Sequence, residues 1–246
     1  MKTSISVIGG GSWATALIKI LSSSQEHITW WVRSEDTATF IQNYHHNPNY
    51  LSDVIIDQNK VSVTTDIKQA IASSQTIILA VPSAFLKVAL TNVTPHDFLE
   101  KTVFSAIKGI VPDDLLIVGD FLHQKFGIPI QQIGVISGPC HAEEVALEKL
   151  SYLTLGCSDL EKAEYMSEQL KCRFIKTTVT EDVFGTELSA ILKNVYAVAS
   201  GICHGLGYGD NYQAVLVSAA IREIERFIEA VHEVHRDVKS SAYLGD

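Results

Sequence analysis

The sequence of 246 residues has few cysteines, no long apolar run and no excess of basic residues. Its four cysteines lie far apart and form no C-x-x-C pair, which argues against a disulfide framework or a zinc site and for reduced thiols in a cytoplasmic protein. No stretch reaches about 18 uninterrupted apolar residues, so we expect no stable membrane insertion. The formal net charge of −9 argues against broad binding to nucleic acid or to anionic membranes.

The histidines do not form a pattern typical of metal sites. His45 and His46 are adjacent, so their side chains diverge. His232 and His235 have the spacing i, i+3 but no third ligand in view. We therefore predict no metal centre.

The stretch from residue 5 to residue 17 predicts a short strand, a glycine turn and the start of a helix. Gly9, Gly11 and Ala14 fit the pattern G-x-G-x-x-G/A of dinucleotide-binding proteins. The first glycine permits a tight turn, the second lets the backbone approach a pyrophosphate, and the small third residue lets helix and strand pack. The anion then lies on the helix N-terminus. Three consecutive glycines can also form a mere flexible turn, but the flanking strand and helix favour a nucleotide site.

Strands and helices alternate from the N-terminus to about residue 180. This alternation predicts an α/β fold with a Rossmann-type, doubly wound parallel sheet. Within it, Asp114–Phe126 is predicted to form a single helix. In such sheets, ligands bind in the crevice at the carboxyl ends of the strands.

After residue 180 the strand signal stops and two long helices are predicted, one to about Gly201 and one from Tyr212 to about Val234. We place the domain boundary near Thr180, which gives a dinucleotide-binding domain of residues 1–180 and an all-helical domain of residues 181–246. Two helices alone bury little apolar surface, so this second domain is expected to be incomplete.

Arg33 follows the second predicted strand directly. Proteins that prefer NAD commonly have an acid here that binds the ribose 2′-hydroxyl, whereas an arginine can neutralise the 2′-phosphate of NADP. Glu35 and Asp36 follow closely and keep NAD possible. We expect NADP or NAD as cofactor, with Arg33 favouring NADP; the alternative is a solvated loop arginine.

Two further strand ends carry residues that could reach the crevice. Lys108 could bind a phosphate or a carbonyl oxygen there, or be an ordinary surface lysine. The turn 137–142 leads from a strand into a helix, and its free amides could bind an anion. Cys140 would lie at that helix N-terminus, where thiol pKa values tend to fall, but no partner base is visible. A nucleophilic cysteine would suit a different reaction.

Lys193 lies in the middle of the first long helix, on a stripe of small and polar residues. At helical spacing the stripe consists of Thr186, Ala190, Lys193, Ala197, Ser200 and His204. Small neighbours leave room for a ligand beside the amine, and a desolvated lysine can exchange a proton near neutral pH. The alternative is a lysine at the edge of a packed helix.

Several motifs occur here in the order seen in NAD(P)-dependent glycerol-3-phosphate dehydrogenases, and the sequence resembles that family over nearly its whole length. The motifs are the glycine turn that continues as Ser12-Trp13-Ala14, Ser105-Ala-Ile-Lys108-Gly-Ile, Ser137-Gly-Pro, Leu192-Lys193-Asn194-Val and Gly205-Leu-Gly-Tyr-Gly-Asp-Asn. The resemblance implies reversible hydride transfer between NAD(P)H and dihydroxyacetone phosphate. The product, sn-glycerol 3-phosphate, would feed phospholipid synthesis.

The resemblance also implies roles for single residues. The implied dinucleotide contacts, besides Gly9 and Gly11 of the turn, are Ser12, Trp13, Arg33, Lys108 and Ala142. The implied substrate contacts are Lys108, Gly138, Cys140, Lys193 and Asp246. Lys193 is the implied proton donor and acceptor.

This chain departs from the family pattern in three ways. Cys140 stands where the family usually has a hydroxyl residue, and Ala14 replaces the more usual glycine. Family members also continue well beyond residue 246 and include a Ser-Arg-Asn segment that holds the substrate phosphate. We therefore expect a fragment or truncated product that binds cofactor and turns over poorly.

Two other functions stay open. One is a related β-hydroxyacid or ketoacid reductase with the same two-domain plan. The other is a non-catalytic NAD(P)-binding fragment whose exposed helices form an interaction surface. A homodimer through the helical domain is a further expectation.

Overall fold

The structure, a computed structural model, describes residues 4–232. The strands are β1 (Ile5–Ile8), β2 (Ile28–Trp31), β3 (Val61–Thr64), β4 (Thr76–Leu79), β5 (Thr102–Ser105), β6 (Ile110–Val111), β7 (Leu116–Ile117), β8 (Ile133–Ser137), β9 (Ser151–Cys157) and β10 (Ile175–Thr180). The helices are α1 (Ser12–Leu21), α2 (Glu35–Tyr44), α3 (Ile67–Ala72), α4 (Leu86–Ala89), α5 (Val118–Phe126), α6 (Ala142–Ala146), α7 (Leu160–Leu170), α8 (Val183–Gly205) and α9 (Asp210–Val231).

The main sheet has eight strands in the order β10-β9-β8-β5-β4-β1-β2-β3. The six strands from β8 to β3 are parallel, and every residue of β1 and β4 is buried. Helices α1, α6 and α7 pack on one face, and α3 and α5 pack on the other. Continuous apolar strands covered on both faces are typical of parallel sheets. The architecture confirms the predicted fold class, and the strand order reverses direction between β1 and β4, where such folds bind ligands.

One edge of the sheet differs from a purely parallel arrangement, because β9 runs antiparallel to β8. Helix α6 between them has 5 residues, the same number as β8. A helix rises about 1.5 Å per residue and a strand about 3.3 Å. The short helix therefore cannot return the chain to the opposite edge of the sheet, so β9 starts where β8 ends. The 11-residue helix α7 does return the chain, and β10 is parallel to β9.

The prediction of a helix over Asp114–Phe126 is wrong for its first turn. Residues 110–117 form the hairpin of β6 and β7, and α5 starts only at Val118. Pro112 accepts a hydrogen bond at its carbonyl from the N–H of Leu115, whose φ is +52°. Proline with two aspartates favours such a turn over a helix, and Asp114 forms ion pairs with Lys87 and Lys125.

The bounds of the two long helices differ from those predicted. Helix α8 continues to Gly205, and helix α9 starts at Asp210 and ends at Val231. The first third of α8, from Gly185 to Ala190, is buried, and α8 packs on β8, β9 and α9. Beyond this part, large apolar side chains are exposed on both helices and directly after α8: Val195, Val198, Ile202, Leu206, Val215 and Val217. The division of the chain into residues 1–180 and 181–246 stays a prediction.

Within residues 4–232, no helix combines the length and the apolarity that crossing a membrane requires. No disulfide links the four cysteines, all of which lie in the described part of the chain.

Candidate active site

The glycine turn joins β1 to α1 at the point where the strand order reverses. Gly9 has a φ of +147°, and a Cβ atom there would lie 2.4 Å from the carbonyl oxygen of Ala80. The N–H of Gly9 donates to the Trp31 carbonyl oxygen (3.1 Å), and the Trp30 indole N–H donates to the Gly9 carbonyl oxygen (2.6 Å). The turn thus needs glycine at position 9 because β2 and the residues after β4 enclose it.

Gly11 has the opposite environment, because a Cβ atom built there would meet no heavy atom within 4 Å. It is the N-cap residue of α1, and no side chain of the described residues caps that helix end. The first N–H groups of an α-helix have no intrahelical partner and attract anions. The indole nitrogen of Trp13 is buried and has no hydrogen-bond partner within residues 4–232. Open space, backbone donors and a buried unpaired donor fit a dinucleotide pyrophosphate.

Arg33 lies two residues beyond the end of β2, beside the glycine turn, because Ile8 of β1 pairs with Trp31 of β2. Its side chain is exposed and forms no hydrogen bond or ion pair with the described residues. The nearby carboxylate of Glu35, in contrast, accepts a hydrogen bond from the Thr65 hydroxyl. At this strand end the Glu35 carboxylate is thus held by a hydrogen bond, whereas the Arg33 guanidinium group forms none with the described residues.

The loops after β5 and β8 lie at the same edge of the sheet. Lys108 is partly buried and precedes Gly109, where a Cβ atom would lie 2.6 Å from the Ser83 hydroxyl of the loop after β4. Gly138 has a φ of +118°, and a Cβ atom there would lie 2.6 Å from the Tyr152 carbonyl oxygen. Close backbone packing therefore requires glycine at position 138, whereas a side chain at position 109 would have to displace the Ser83 hydroxyl.

The turn after Gly138 offers little support for a reactive thiol. Cys140 is 6% exposed and Ala142 is 8% exposed. The helix that follows, α6, has only 5 residues. Burial limits access to the Cys140 sulfur, so this side chain forms part of the wall beside β8.

Lys193 lies where α8 leaves the sheet. Thr186 and Ala190, on the same helical face, are 0% and 4% exposed, whereas Lys193 is partly buried and Ala197 is exposed. The predicted stripe is thus buried in its first half and open in its second half. Helix α8 packs on β8, the strand that ends at Ser137. Lys193 lies directly after the buried part of α8.

The described candidates therefore follow four of five neighbouring parallel strands, namely β1, β2, β5 and β8, or lie on the helix α8 that packs on β8. The structure brings the loops with Gly9–Trp13, Arg33, Lys108 and Gly138 to one edge of the sheet. Asp246 lies outside the described residues, as does His235. No group of three His, Cys, Asp or Glu residues suited to a metal lies within residues 4–232.

Comparison with known proteins gives two family matches that together cover most of the chain. Residues 4–163 match the model of the NAD-dependent glycerol-3-phosphate dehydrogenase N-terminus, and residues 182–246 match the model of its C-terminus. The chain belongs to the NAD-dependent glycerol-3-phosphate dehydrogenase family. This membership confirms the resemblance of the motifs and makes the chain a member of an NAD(P)-dependent oxidoreductase family.

Individual glycerol-3-phosphate dehydrogenases show the same relationship. A glycerol-3-phosphate dehydrogenase [NAD(P)+] of Salinibacter ruber is 36% identical over 247 residues, covering 100% of this chain and 72% of the relative. The enzyme so named in Bacillus licheniformis is 36% identical over 227 residues, covering 91% of this chain and 65% of the relative. The chain thus spans about two thirds to three quarters of such relatives.

A solved structure supports the same family at the level of the fold. The glycerol-3-phosphate dehydrogenase of Coxiella burnetii superposes with a TM-score of 0.90 at 25% identity, covering 100% of this chain and 74% of that enzyme. The names of the relatives support use of NAD or NADP and leave the preference between them open.

Two buried polar side chains of the site region carry no local sequence motif. Asn47, 0% exposed, donates hydrogen bonds to the Gly10 carbonyl oxygen and to the Thr15 hydroxyl. Glu187, 1% exposed, accepts hydrogen bonds from the backbone N–H groups of Val118 and Gly119 at the start of α5. A carboxylate among the apolar residues of a buried helix is an unusual pattern that could have indicated Glu187.

Glu187 links helix α8, which carries Lys193, to the start of helix α5, which follows the Lys108 loop. It lies on α8, six positions before Lys193 in the sequence, and its carboxylate is 2.8 Å from the N–H of Val118. Helix α5, which starts at Val118, follows Lys108 by way of the β6–β7 hairpin. Burial, with a smaller contribution from the Asp120 charge, raises the pKa of Glu187, and the backbone N–H donors of Gly119 and Val118 lower it. The net result is a pKa of about 7.

The raised pKa predicts a pH-dependent stability. Because the pKa of Glu187 is about 7 in the folded state and 4.5 ordinarily, the proton stabilises the fold fully below about pH 4.5 and this stability is lost as pH rises through 7. The loss amounts to roughly 3 kcal/mol. Glu187→Gln should remove it, so the variant should gain stability relative to the unchanged protein between pH 5 and pH 8, as measured by urea unfolding. A constant difference over this range would contradict the assignment.

Proposed function

We propose that this chain carries the dinucleotide site and the proton-transfer lysine of a glycerol-3-phosphate dehydrogenase. The reaction is hydride transfer between NAD(P)H and dihydroxyacetone phosphate to give sn-glycerol 3-phosphate. The observation that supports it most is the glycine turn at the strand-order reversal, with open space beside Gly11 and with the Lys193 helix packed on β8 of the same sheet. A bound nicotinamide would supply or accept the hydride.

The protein's own groups account for the rest of the chemistry. The first N–H groups of α1 bind the pyrophosphate, and Trp13 closes the turn beside it. When the carbonyl is reduced, negative charge develops on its oxygen, and the Lys193 ammonium donates the proton that this oxygen takes up. In the reverse direction the Lys193 amine accepts the proton. Lys108 lies beside the crevice as a second cation for the substrate phosphate or carbonyl oxygen, and Gly138 and Cys140 form the wall.

Arg33 is proposed to favour NADP through its contact with the 2′-phosphate. Arg33→Ala should raise the Kd for NADPH about tenfold and leave that for NADH nearly unchanged, because only NADPH carries the phosphate. Fluorescence titration with both cofactors measures this. Arg173→Ala, which removes an exposed arginine paired with Glu148, is the matched control. An equal change for both cofactors would rule out the 2′-phosphate contact.

The direct test of the proposed function is dihydroxyacetone-phosphate-dependent oxidation of NADPH or NADH by the purified chain. A panel that includes β-hydroxyacids and ketoacids separates the proposal from a related reductase, because phosphate-bearing substrates should react best only in the first case. Absence of turnover in a version extended to the length of the relatives would overturn the proposal.

A second candidate is supported by the exposed apolar side chains of α8 and α9, together with the share of its relatives that this chain spans. In it, the chain binds NAD(P) without turnover and uses these helices as an interaction surface, for example in a homodimer. NADPH binding without activity, with a dimer in sedimentation analysis, would select this candidate. A cytoplasmic location and a link to phospholipid synthesis are proposed with the first function.

A further inference from the structure

The Asn47 side chain is fully buried in the loop between α2 and β3, and all its hydrogen-bonding positions are used. Its amide group donates to the Gly10 carbonyl oxygen (3.1 Å) and to the Thr15 hydroxyl oxygen (2.9 Å). Its carbonyl oxygen accepts from the backbone N–H groups of Asn49 (3.0 Å) and Tyr50 (3.3 Å). One carboxamide thus joins a distant loop to both sides of the glycine turn.

The bond from Asn47 fixes the direction of the Gly10 carbonyl, and the Gly11 carbonyl is held both by the Thr15 hydroxyl and by the helical bond from the Thr15 N–H (3.0 Å). In a planar trans peptide the C=O and the following N–H point in opposite directions. Because the Gly10 carbonyl faces Asn47, the Gly11 N–H faces away from it. The Thr15 hydroxyl, which receives one Asn47 donor, itself donates to the Gly11 carbonyl oxygen (3.0 Å). The next N–H, that of Ser12, therefore also points away from that carbonyl.

We propose that Asn47 is a positioning residue for dinucleotide binding, which holds the glycine turn so that the N–H groups of Gly11 and Ser12 face the crevice. The inference rests on the proposed dinucleotide site and assigns a residue that does not itself touch the cofactor. A residue that only filled space could be replaced by another of similar size, whereas this role requires the two amide donors of Asn47.

The test compares two substitutions that add the same charge to the same loop. Asn47→Asp keeps the acceptor for Asn49 and Tyr50 but places a carboxylate oxygen opposite the Gly10 carbonyl oxygen. Asn49→Asp adds the charge at an exposed side chain two residues away. Thr15→Val, which is uncharged and removes the hydroxyl between Asn47 and Gly11, provides a second variant should Asn47→Asp fail to fold.

Two measurements are made on the full chain: the Kd for NADPH by fluorescence titration, and hydrogen–deuterium exchange of the ligand-free turn in peptides spanning residues 7–17. Asn47→Asp and Thr15→Val should raise the Kd about tenfold or more and speed exchange in the turn, whereas Asn49→Asp should do neither. A purely structural residue would lower the melting temperature without changing the Kd of the folded protein.

The outcomes separate this inference from the function on which it rests. Equal Kd values and equal exchange in Asn47→Asp and Asn49→Asp would overturn it, as would a lowered melting temperature with an unchanged Kd. If the unsubstituted chain does not bind NADPH, the proposed function fails, and the exchange of the turn alone decides whether Asn47 positions it.

Discussion

Lys193→Met should lower kcat for dihydroxyacetone phosphate reduction by about 10²- to 10⁴-fold, the usual contribution of a positioned acid or base. Methionine keeps much of the length of the side chain but cannot donate a proton to the developing alkoxide. Because Lys193 lies on α8 and the glycine turn lies between β1 and α1, the Kd for NADPH should stay nearly unchanged. The two quantities are measured by steady-state kinetics and by fluorescence titration.

The matched control is Lys171→Met, which removes an exposed lysine that pairs with Glu168. It should leave kcat, KM and the Kd for NADPH close to those of the unsubstituted chain, because surface ion pairs contribute little. Unchanged kcat in Lys193→Met would exclude the proton-transfer role. A parallel fall in kcat and in NADPH affinity would instead indicate a general packing defect.

The sequence predicts the helical face on which Lys193 lies, but not the contacts that its helix makes with distant parts of the chain. Helical spacing alone places Thr186, Ala190 and Lys193 on one face, and the structure shows that face buried up to Ala190 and open beyond it. Spacing cannot show that Glu187, on another face, binds the start of α5. Its partners Val118 and Gly119 are 69 and 68 residues away in the sequence.

The same limit explains the other differences between sequence and structure. Asn47 belongs to an Asn-Pro-Asn stretch, which predicts only a loop, because its partners Gly10 and Thr15 lie 37 and 32 residues before it. The direction of β9 depends on the length of α6, which turn residues and a short apolar pattern do not define. Local patterns thus predict elements, while contacts between distant residues determine strand direction and the buried polar network.

Gly9→Ala should destabilise the fold far more than any other glycine substitution in the turn. The added Cβ would lie 2.4 Å from the Ala80 carbonyl oxygen, and the φ of +147° is strained for alanine. Both the backbone of the turn and the residues that follow β4 would have to shift. We expect a loss of roughly 3 kcal/mol or more in the free energy of unfolding, measured by urea denaturation.

Gly127→Ala and Gly11→Ala separate the causes of this effect. Gly127 has a φ of +65° but open space around its Cβ position, so alanine there should cost only about 1 kcal/mol of backbone strain. Gly11 has neither a positive φ nor a close neighbour, so Gly11→Ala should change stability by less than about 1 kcal/mol.

The Cβ atom that Gly11→Ala adds would occupy the space proposed for the pyrophosphate. The substitution should therefore raise the Kd for NADPH about tenfold or more. A folded Gly11→Ala variant with unchanged affinity would place the dinucleotide elsewhere. A stable Gly9→Ala variant would show that the turn can move away from Ala80. Alanine at position 9 meets protein atoms and so tests what the fold requires of the turn. Alanine at position 11 meets none, so it tests what the ligand requires.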